Sequence, residues 1–153
     1  MCSSDLPMAK PFVFRLEKVL EYRIQLEEQA KLALARALAE HARGEQAMRE
    51  LELRLEEHLR RGYAGDMNTN DLWLWRQYRQ ALEQDLVSAR AELARLALKL
   101  QKARQDAVSR SKDRKLLEKL KEQQAGKHHE EQALREHKEA DEMAALRHER
   151  PAL

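Results

Sequence analysis

The chain has 153 residues, of which 37% are charged and only 5% are aromatic, with four glycines and three prolines. This composition is poor in the turn residues and large apolar side chains that a compact globular domain needs. Its 29 basic and 27 acidic residues nearly balance, which is typical of a solvated helical surface and argues against a polyanion as the default partner.

The chain carries no signal for a membrane span or an internal disulfide. No stretch longer than four residues lacks Asp, Glu, Lys or Arg, which excludes an apolar span and the apolar core of a signal peptide. Cys2 is the single cysteine, so we expect a soluble protein in a reducing, cytoplasmic setting. Residues 1–7 read differently from the rest and Met8 offers a second start, so we expect residues 1–7 to be a non-native extension.

The first predicted helix runs from about Phe12 to about Arg61. Apolar side chains recur every three or four residues from Leu16 to Leu59, with mostly charged residues between them, which is the pattern of one long amphipathic helix. Gly44 falls in this apolar stripe at a cost of about 1 kcal/mol against Ala. It permits either a close approach of another helix, which we favour, or a bend.

A loop is predicted over residues 62–70, which contain two glycines and several Asn, Asp and Thr residues. Gly62 suits the C-terminal cap of the first helix. Thr69 or Asn70 suits the N-cap of the next helix, with Asp71 favourably placed in its first turn.

The second predicted helix runs from about residue 71 to 149. From Leu72 its apolar spacing averages 3.5 residues, which is typical of a coiled-coil seam, and the seam fades near Leu117. Folding the chain back near residue 67 brings Leu26 opposite Val108. The predicted fold is therefore all-α, a long two-helix antiparallel coiled-coil hairpin that forms a single domain over residues 8–150. Residues 122–150 have no partner in this register, and we expect a C-terminal single-helix extension that is loosely held until a partner binds.

Motifs for enzymatic chemistry are missing from the sequence. No phosphate-binding loop motif occurs, and His128 with His129 would need a histidine where Ala133 stands to resemble a metalloprotease helix. We therefore predict a protein that is not an enzyme, with no catalytic, cofactor-binding or metal-binding residues and no cofactor. Both histidines are expected to be solvated.

Residues 99–121 contain nine basic and three acidic residues but no aromatic residue on which a base could stack. We expect these cations to be solvated or to pair with acidic residues of the first helix such as Glu17 and Glu27. An acidic protein partner is the alternative, and we predict no nucleic acid partner. Near the loop, Trp75 falls on the seam, whereas Trp73 and Tyr78 lie off it and either anchor an interface or cap the coiled coil.

The two ends of the sequence resemble a known family. "FVFRLEKVLEYRIQLEEQAKLALARA", residues 12–37, resembles the opening of FliJ proteins of the bacterial flagellar export apparatus. "RKLLEKLKEQQ", residues 114–124, and "EADEMAALRHER", residues 139–150, resemble that family's closing segments. The resemblance implies a non-enzymatic cytoplasmic stalk of the flagellar type III export machine, placed at the inner face of the cell membrane through protein partners.

By this resemblance the joined ends would enter the hexameric export ATPase ring, the hairpin tip would meet the export gate membrane protein, and export chaperones would be further partners. The residues expected at the ring are Phe12, Phe14, Arg114, Lys115, Lys119, Lys121, Asp141, Glu142 and Arg147. Phe12 and Phe14 are expected to form an aromatic clasp opposite Glu122 and Leu120. The residues expected at the gate rest on location alone and are Leu55, Leu59, Trp73, Tyr78 and Leu82.

Two alternatives remain open from the sequence. One is a generic coiled-coil adaptor or stalk of another secretion system. The other is a parallel homodimer in which each long helix pairs with its own copy instead of with the other helix of the same chain.

Overall fold

A computed structural model of the chain describes residues 10–62 and 65–149. These residues form two helices, α1 (Glu17–Arg61) and α2 (Thr69–His148), and no strand. The helices pack against each other, so the predicted all-α helical hairpin is confirmed. In this described part neither helix has a stretch long and apolar enough to cross a lipid bilayer. The expected extension at residues 1–7 lies outside the described residues.

Helix α1 begins at Glu17, five positions later than expected from the sequence. Its first turn is set by a bond from the Glu17 N–H to the Phe14 carbonyl, at 3.2 Å. In a helix Phe12 and Phe14 would point about 200° apart and could not both face α2. Residues 10–14 are not helical, and this constraint is lifted there, so both rings can turn toward the same neighbour.

The cap at the end of α1 is the expected one, whereas the cap at the start of α2 is a different residue from Thr69 or Asn70, which the sequence suggested. Gly62 has a φ of 63°, and its N–H bonds the His58 carbonyl at 3.3 Å, which confirms it as the C-terminal cap of α1. At the start of α2 the side-chain oxygen of Asn68 accepts a hydrogen bond from the Asp71 N–H at 2.8 Å. Asn68 is therefore the N-cap, because only that position lies three residues before the free N–H of Asp71.

The contacts divide the chain into two compact units. The terminal unit comprises residues up to Gln25 and from Ser111 onward, and the central unit comprises Leu26–Arg110. Each unit contains a part of α1 and a part of α2.

The core of the central unit is a narrow apolar seam. Its buried apolar residues are Ala37, Leu82, Leu86, Leu96 and Leu100. The four leucines follow the predicted three-and-four spacing along α2, and each contributes roughly 1.5–3 kcal/mol by leaving water. On α1 the seam departs from the prediction, because Leu34 and His58 are partly buried where Ala33 and Leu59 were expected. A straight α-helix has 3.6 residues per turn, so a stripe with a 3.5-residue repeat rotates slowly around it. The residue that faces α2 therefore shifts by one position along α1.

The register of the two helices in the central unit differs from the expected one. Lys99 Nζ lies 2.7 Å from the Glu40 carboxylate, about one helical turn further along α2 than expected. Val108, expected opposite Leu26, is more than half exposed. Successive residues of the seam are similarly apolar. The sequence therefore identifies which face of each helix turns inward more firmly than which residues of the two helices lie opposite each other.

Gly44 allows close packing in the central unit. A Cβ atom at this position would lie 2.9 Å from Leu96 Cδ1 and 3.4 Å from Leu93 Cδ1. The first distance is shorter than real Cβ contacts and the second lies at the short limit of van der Waals packing, so the favoured interpretation of Gly44 as a close-approach site is confirmed.

Glu27 is a charged side chain inside the central unit, only 3% exposed. Its carboxylate lies 3.1 Å from Lys31 Nζ, one turn further along α1. The sequence predicted a flanking position beside the basic residues of α2; the burial of Glu27 differs from that position, and its pairing with α2 stays a prediction. A buried carboxylate costs free energy that pairing only partly returns.

The terminal unit is held by interhelical ion pairs and two buried apolar side chains. Arg23 lies 3.2 Å from Asp113, and Lys121 lies 2.8 Å from Glu17, which confirms the expected pairing of Glu17 with the basic part of α2. Phe14 and Leu20 are buried.

The predicted unpartnered extension is shorter than expected. Beyond Lys121 the non-helical segment at residues 10–12 packs on α2, where the Lys10 carbonyl bonds His128 Nε2 at 2.9 Å. Gln132 is the last partly buried residue, and every residue from 133 to 149 is exposed. The exposed helix of residues 133–148 is about 24 Å long.

We expect Gly44→Leu to destabilise the protein by about 1–3 kcal/mol, because the added side chain would overlap Leu96 and Leu93. Gly126→Leu is the matched control, since nothing lies within 4 Å of a Cβ at Gly126. Helix propensity alone should make the control more stable by up to about 1 kcal/mol. Urea unfolding followed by circular dichroism measures both, and equal stability of the two variants would contradict the close approach.

Candidate protein-interaction surfaces

Phe12 packs against α2 in the terminal unit, at His128. The two ring centroids are 5.8 Å apart and the planes are inclined by 46°. The His128 ring also bonds the Lys10 carbonyl, which requires a proton on Nε2. The expected solvated position of His128 is therefore wrong, whereas His129 is exposed. The contact lies one to two turns beyond Glu122, where the clasp was expected.

Phe14 occupies the interior of the terminal unit and is 5% exposed. Burying a phenylalanine contributes roughly 1.5–3 kcal/mol, so this residue is a structural anchor. The adjacent Val13 is 77% exposed.

Four of the five cations expected at the ring lie within residues 114–121, and they differ in their surroundings. Arg114 is mostly buried and donates to the Glu118 carboxylate at 2.5 Å, and Lys121 pairs with Glu17. Lys115 and Lys119 are exposed and form no ion pair within the described residues. Of these four cations, the two lysines are the ones that offer an uncompensated charge to a partner.

The expected residues of the C-terminal segment are all exposed. Asp141 lies 3.9 Å from His137 Nδ1, a contact between two side chains that remain about four-fifths exposed. Glu142 and Arg147 are exposed on the same single helix. Leu134, Met143 and Leu146 are exposed alongside them, so the segment presents apolar and charged side chains together.

The residues expected at the gate do not all reach the surface. Leu82 is 4% exposed and belongs to the core, and Leu55 is partly buried. Leu59, Trp73 and Tyr78 are each about half exposed. These three form the exposed part of the expected gate surface.

An aromatic cluster around His58 supports this surface in the central unit. The His58 ring stacks on Trp75 at 4.9 Å and meets the edge of Tyr78 at 4.8 Å. Its Nε2 donates to the Trp75 carbonyl at 3.1 Å. The one sequence signal for this role is that His58 lies one position before Leu59, which was expected on the seam.

Packing of this cluster leaves the Trp75 indole with an unfavourable contribution to the free energy of folding. Its indole nitrogen is buried and has no hydrogen-bond partner among the described residues. An unsatisfied donor of this kind costs about 1–3 kcal/mol. Stacking on His58 and the Arg79 guanidinium, 6.0 Å from the ring centroid, offset part of it.

Beside Trp75 an open groove of about 800 Å³ runs along α2. Arg79, which lines it, is already paired with Glu83 at 2.9 Å. In the described part of the chain no group of three or more His, Cys, Asp or Glu residues is placed to hold a metal ion. The chemistry available on these surfaces is apolar contact and charge pairing.

Two exposed acidic groups of the central unit have perturbed pKa values. The hydrogen bond from Lys99, with its positive charge, lowers the pKa of Glu40 below the ordinary value of 4.5. The hydrogen bond from Arg95 likewise lowers the pKa of Glu92. These contacts stabilise the ionised carboxylates, so the interhelical pair of Glu40 and Lys99 exists at neutral pH.

We expect Phe14→Ala to destabilise the terminal unit by about 3–5 kcal/mol, because a buried ring is removed. Val13→Ala, one position away and exposed, should change stability by less than about 0.5 kcal/mol. Hydrogen exchange should show faster exchange in residues 111–132 for the first variant only. Unchanged protection in Phe14→Ala would contradict its anchoring role.

We expect Lys99→Ala to destabilise the central unit at neutral pH more than Lys102→Ala, because Lys102 is a neighbouring lysine that forms no ion pair among the described residues. The folded-state pKa of Glu40 is lowered, so its contribution is present above about pH 4.5 and is lost as the pH falls through the folded-state pKa. The difference between the variants in urea unfolding should therefore shrink below pH 4.5. A difference that persisted in acid would show that the pair is not its cause.

Comparison with known proteins identifies a family. A family model described as the flagellar FliJ protein matches residues 12–153. No curated protein and no solved structure matches the chain.

Proposed function

Since the chain belongs to the flagellar FliJ family, we propose that it is a stalk whose terminal unit enters the hexameric export ATPase ring and whose loop end contacts the export gate. The family is a non-catalytic component of flagellar export, and the chain takes part in flagellar protein export. We place the protein in the cytoplasm, at the inner face of the membrane through these partners. Escort of export chaperones stays a prediction.

The observation that carries the ring contact is the composition of the terminal unit's surface. Lys115 and Lys119 carry charges that no described residue neutralises, and every residue from 133 to 149 is exposed. A helix that is exposed on all sides gains no stability from packing while it stands alone in water. Insertion into a ring would supply partners on all of these sides.

Arg114 and Lys121 support this proposal differently. Both are engaged within the terminal unit, and we assign them to holding the two helices together instead of to direct contact. Phe14 has the same role, whereas Phe12 fixes the segment before α1 onto His128. A firmly held end is what a stalk needs if it is to transmit force.

For the gate contact we retain Leu59, Trp73 and Tyr78, because half-exposed apolar and aromatic side chains are typical anchors of protein interfaces. Leu82 and Leu55 would support them from behind. Tyr78 is preorganised by its contact with His58, which reduces the entropy lost on binding.

The mechanism that fits these surfaces is a bias on the conformations of the ring. An asymmetric helix pair contacts subunits of a symmetric hexamer differently, and it can shift their equilibrium only by its differential affinity for their states. The catalytic groups would belong to the ATPase. The stalk would contribute charge and shape.

We expect the purified chain to raise the activity and hexamer population of a flagellar export ATPase from the same source. Lys115→Glu with Lys119→Glu should weaken this effect by about tenfold, because two charges would become repulsive. Arg36→Glu with Arg54→Glu is the matched control, since it makes the same charge change in the central unit. An ATPase that is competent but unaffected by the wild-type chain would refute the stalk.

The gate contact is tested separately. Trp73→Ala with Tyr78→Ala should leave ATPase stimulation unchanged and weaken binding to the cytoplasmic part of the export gate protein by about tenfold or more. Loss of both effects together would indicate a folding defect, which circular dichroism would reveal.

A further inference from the structure

In the central unit, α2 carries a second uncharged stripe on its exposed side. It consists of residues that recur at alternating spacings of four and three, all exposed and none charged. At 3.6 residues per turn it lies about 150° around the helix from the buried leucines. Toward the loop the same spacing reaches Trp73, which the proposed gate contact uses, so the stripe begins at Gln80. We call it the outer stripe, and its residues are Gln80, Gln84, Val87, Ala91, Ala94, Leu98, Gln101, Gln105 and Val108.

An uncharged line on the solvent side is unusual in this chain, 37% of which is charged. The side of an amphipathic helix that faces water normally carries its charged residues. Here the charges of residues 80–108 all lie on the flanks, between the buried stripe and the outer stripe. Helix α1 covers the buried stripe. The pattern of α2 is therefore that of a helix with a neighbour on each of two sides.

The outer stripe has an apolar centre and polar ends. Val87 and Leu98, which are 66% and 69% exposed, enclose two alanines at the four-three-four spacing of a coiled-coil seam. Glutamines lie on both sides of this centre. An apolar centre within a polar rim is typical of protein interfaces, and the alanines let another backbone approach closely.

The borders of the outer stripe are cationic. The one carboxylate there, Glu83, is already paired with Arg79 at 2.9 Å. Of the four cations, Lys102 and Arg104 are exposed and form no ion pair within the described residues. The cations lie about 80° from the stripe on either side, with Arg90 and Arg104 along one border and Arg95 and Lys102 along the other.

The other two border cations keep a large exposed area. Arg90 lies 3.9 Å from a Glu52 carboxylate oxygen, and Arg95 is 2.6 Å from Glu92. Both arginine side chains are still more than 60% exposed. The outer stripe is thus bordered on both sides by positive charge that an incoming carboxylate can reach.

We propose that the outer stripe docks an amphipathic helix of a partner protein whose apolar stripe is bordered by glutamate or aspartate. The partner's apolar side chains would pack on Val87, Leu98 and the alanines between them, and its carboxylates would pair with the border cations. The contact would turn this part of the two-helix hairpin into a three-helix assembly. It does not rest on the ring or gate contact, because none of the residues assigned to those contacts belongs to the outer stripe or its borders.

Charge and periodicity favour this occupant over two others. A second copy that used the same stripe would bring cations of both copies together, and facing like charges oppose association. A lipid surface takes up large apolar side chains, whereas the outer stripe is mostly alanine and glutamine. A repeat of 3.5 residues over about 42 Å matches a helix and has no role on a membrane.

The proposal is tested with the full chain and a labelled peptide of 28 residues, using fluorescence anisotropy. The probe carries leucine at both seam positions of each heptad, glutamate beside them, and alanine or glutamine elsewhere. We expect it to bind at least tenfold more tightly than a control peptide with lysine in place of each glutamate. Val87→Glu with Leu98→Glu should weaken binding of the acidic peptide at least tenfold, as should Lys102→Glu with Arg104→Glu.

Matched controls lie on α1 of the same unit. Leu32→Glu with Leu53→Glu changes two leucines that are 61% and 64% exposed, and Arg36→Glu with Arg54→Glu reverses two exposed cations. Both pairs should leave peptide binding within about twofold of the wild type, because they lie off the outer stripe. Circular dichroism checks that every variant keeps its helicity.

Three results would overturn the proposal. One is equal binding of the acidic and basic peptides, or acidic-peptide binding that neither change in or beside the outer stripe weakens. Another is tighter binding to phosphatidylglycerol vesicles than to the peptide, lost in Val87→Glu with Leu98→Glu, which would assign the stripe to a lipid surface. The third is a dimer of the full chain in sedimentation equilibrium that the same two substitutions abolish, which would assign it to a second copy.

Discussion

The constraint on which this protein depends is that two helices alone can bury only one stripe of each other. Seven apolar side chains of the described residues are buried, and no large side chain is completely enclosed. Because isolated helices gain most of their stability from packing, this narrow seam sets the stability of each unit. Residues of the seam that are not large and apolar therefore have a large effect on stability. Gly44 brings the helices close enough to use the seam, whereas Glu27 places a charge in it.

The same constraint leaves the rest of each helix for other molecules. Leu98, Val87 and Leu53 are more than half exposed, although residues of this kind are usually covered in a compact domain. Charged residues between them keep the chain dispersed in water. A protein with so little interior and so much mixed surface is suited to binding along its length, which agrees with its family's non-catalytic place in flagellar export.

The ion pairs differ between the two units. In the central unit Glu40 pairs with Lys99 across the helices, and most of the other ion pairs join residues one turn apart on one helix. In the terminal unit the carboxylates of Asp113 and Glu17 are engaged in interhelical ion pairs, and several lysines have no carboxylate partner among the described residues. Residues 125–149, at the end of α2, contain more acidic than basic residues. Charges of this kind determine orientation and partner choice more than affinity.

The sequence by itself determined the fold class, the face of α2 that turns inward and the cap at Gly62. These follow from the local periodicity of apolar residues and from the φ that only glycine adopts readily. Only the tertiary structure decided the register of the helices and the burial of Glu27. It also decided the contact of Phe12 with His128, far away in the sequence. Sliding one helix by a turn preserves the apolar pattern of both, so the pattern cannot choose among registers. The summed contacts of side chains from distant parts of the chain make that choice.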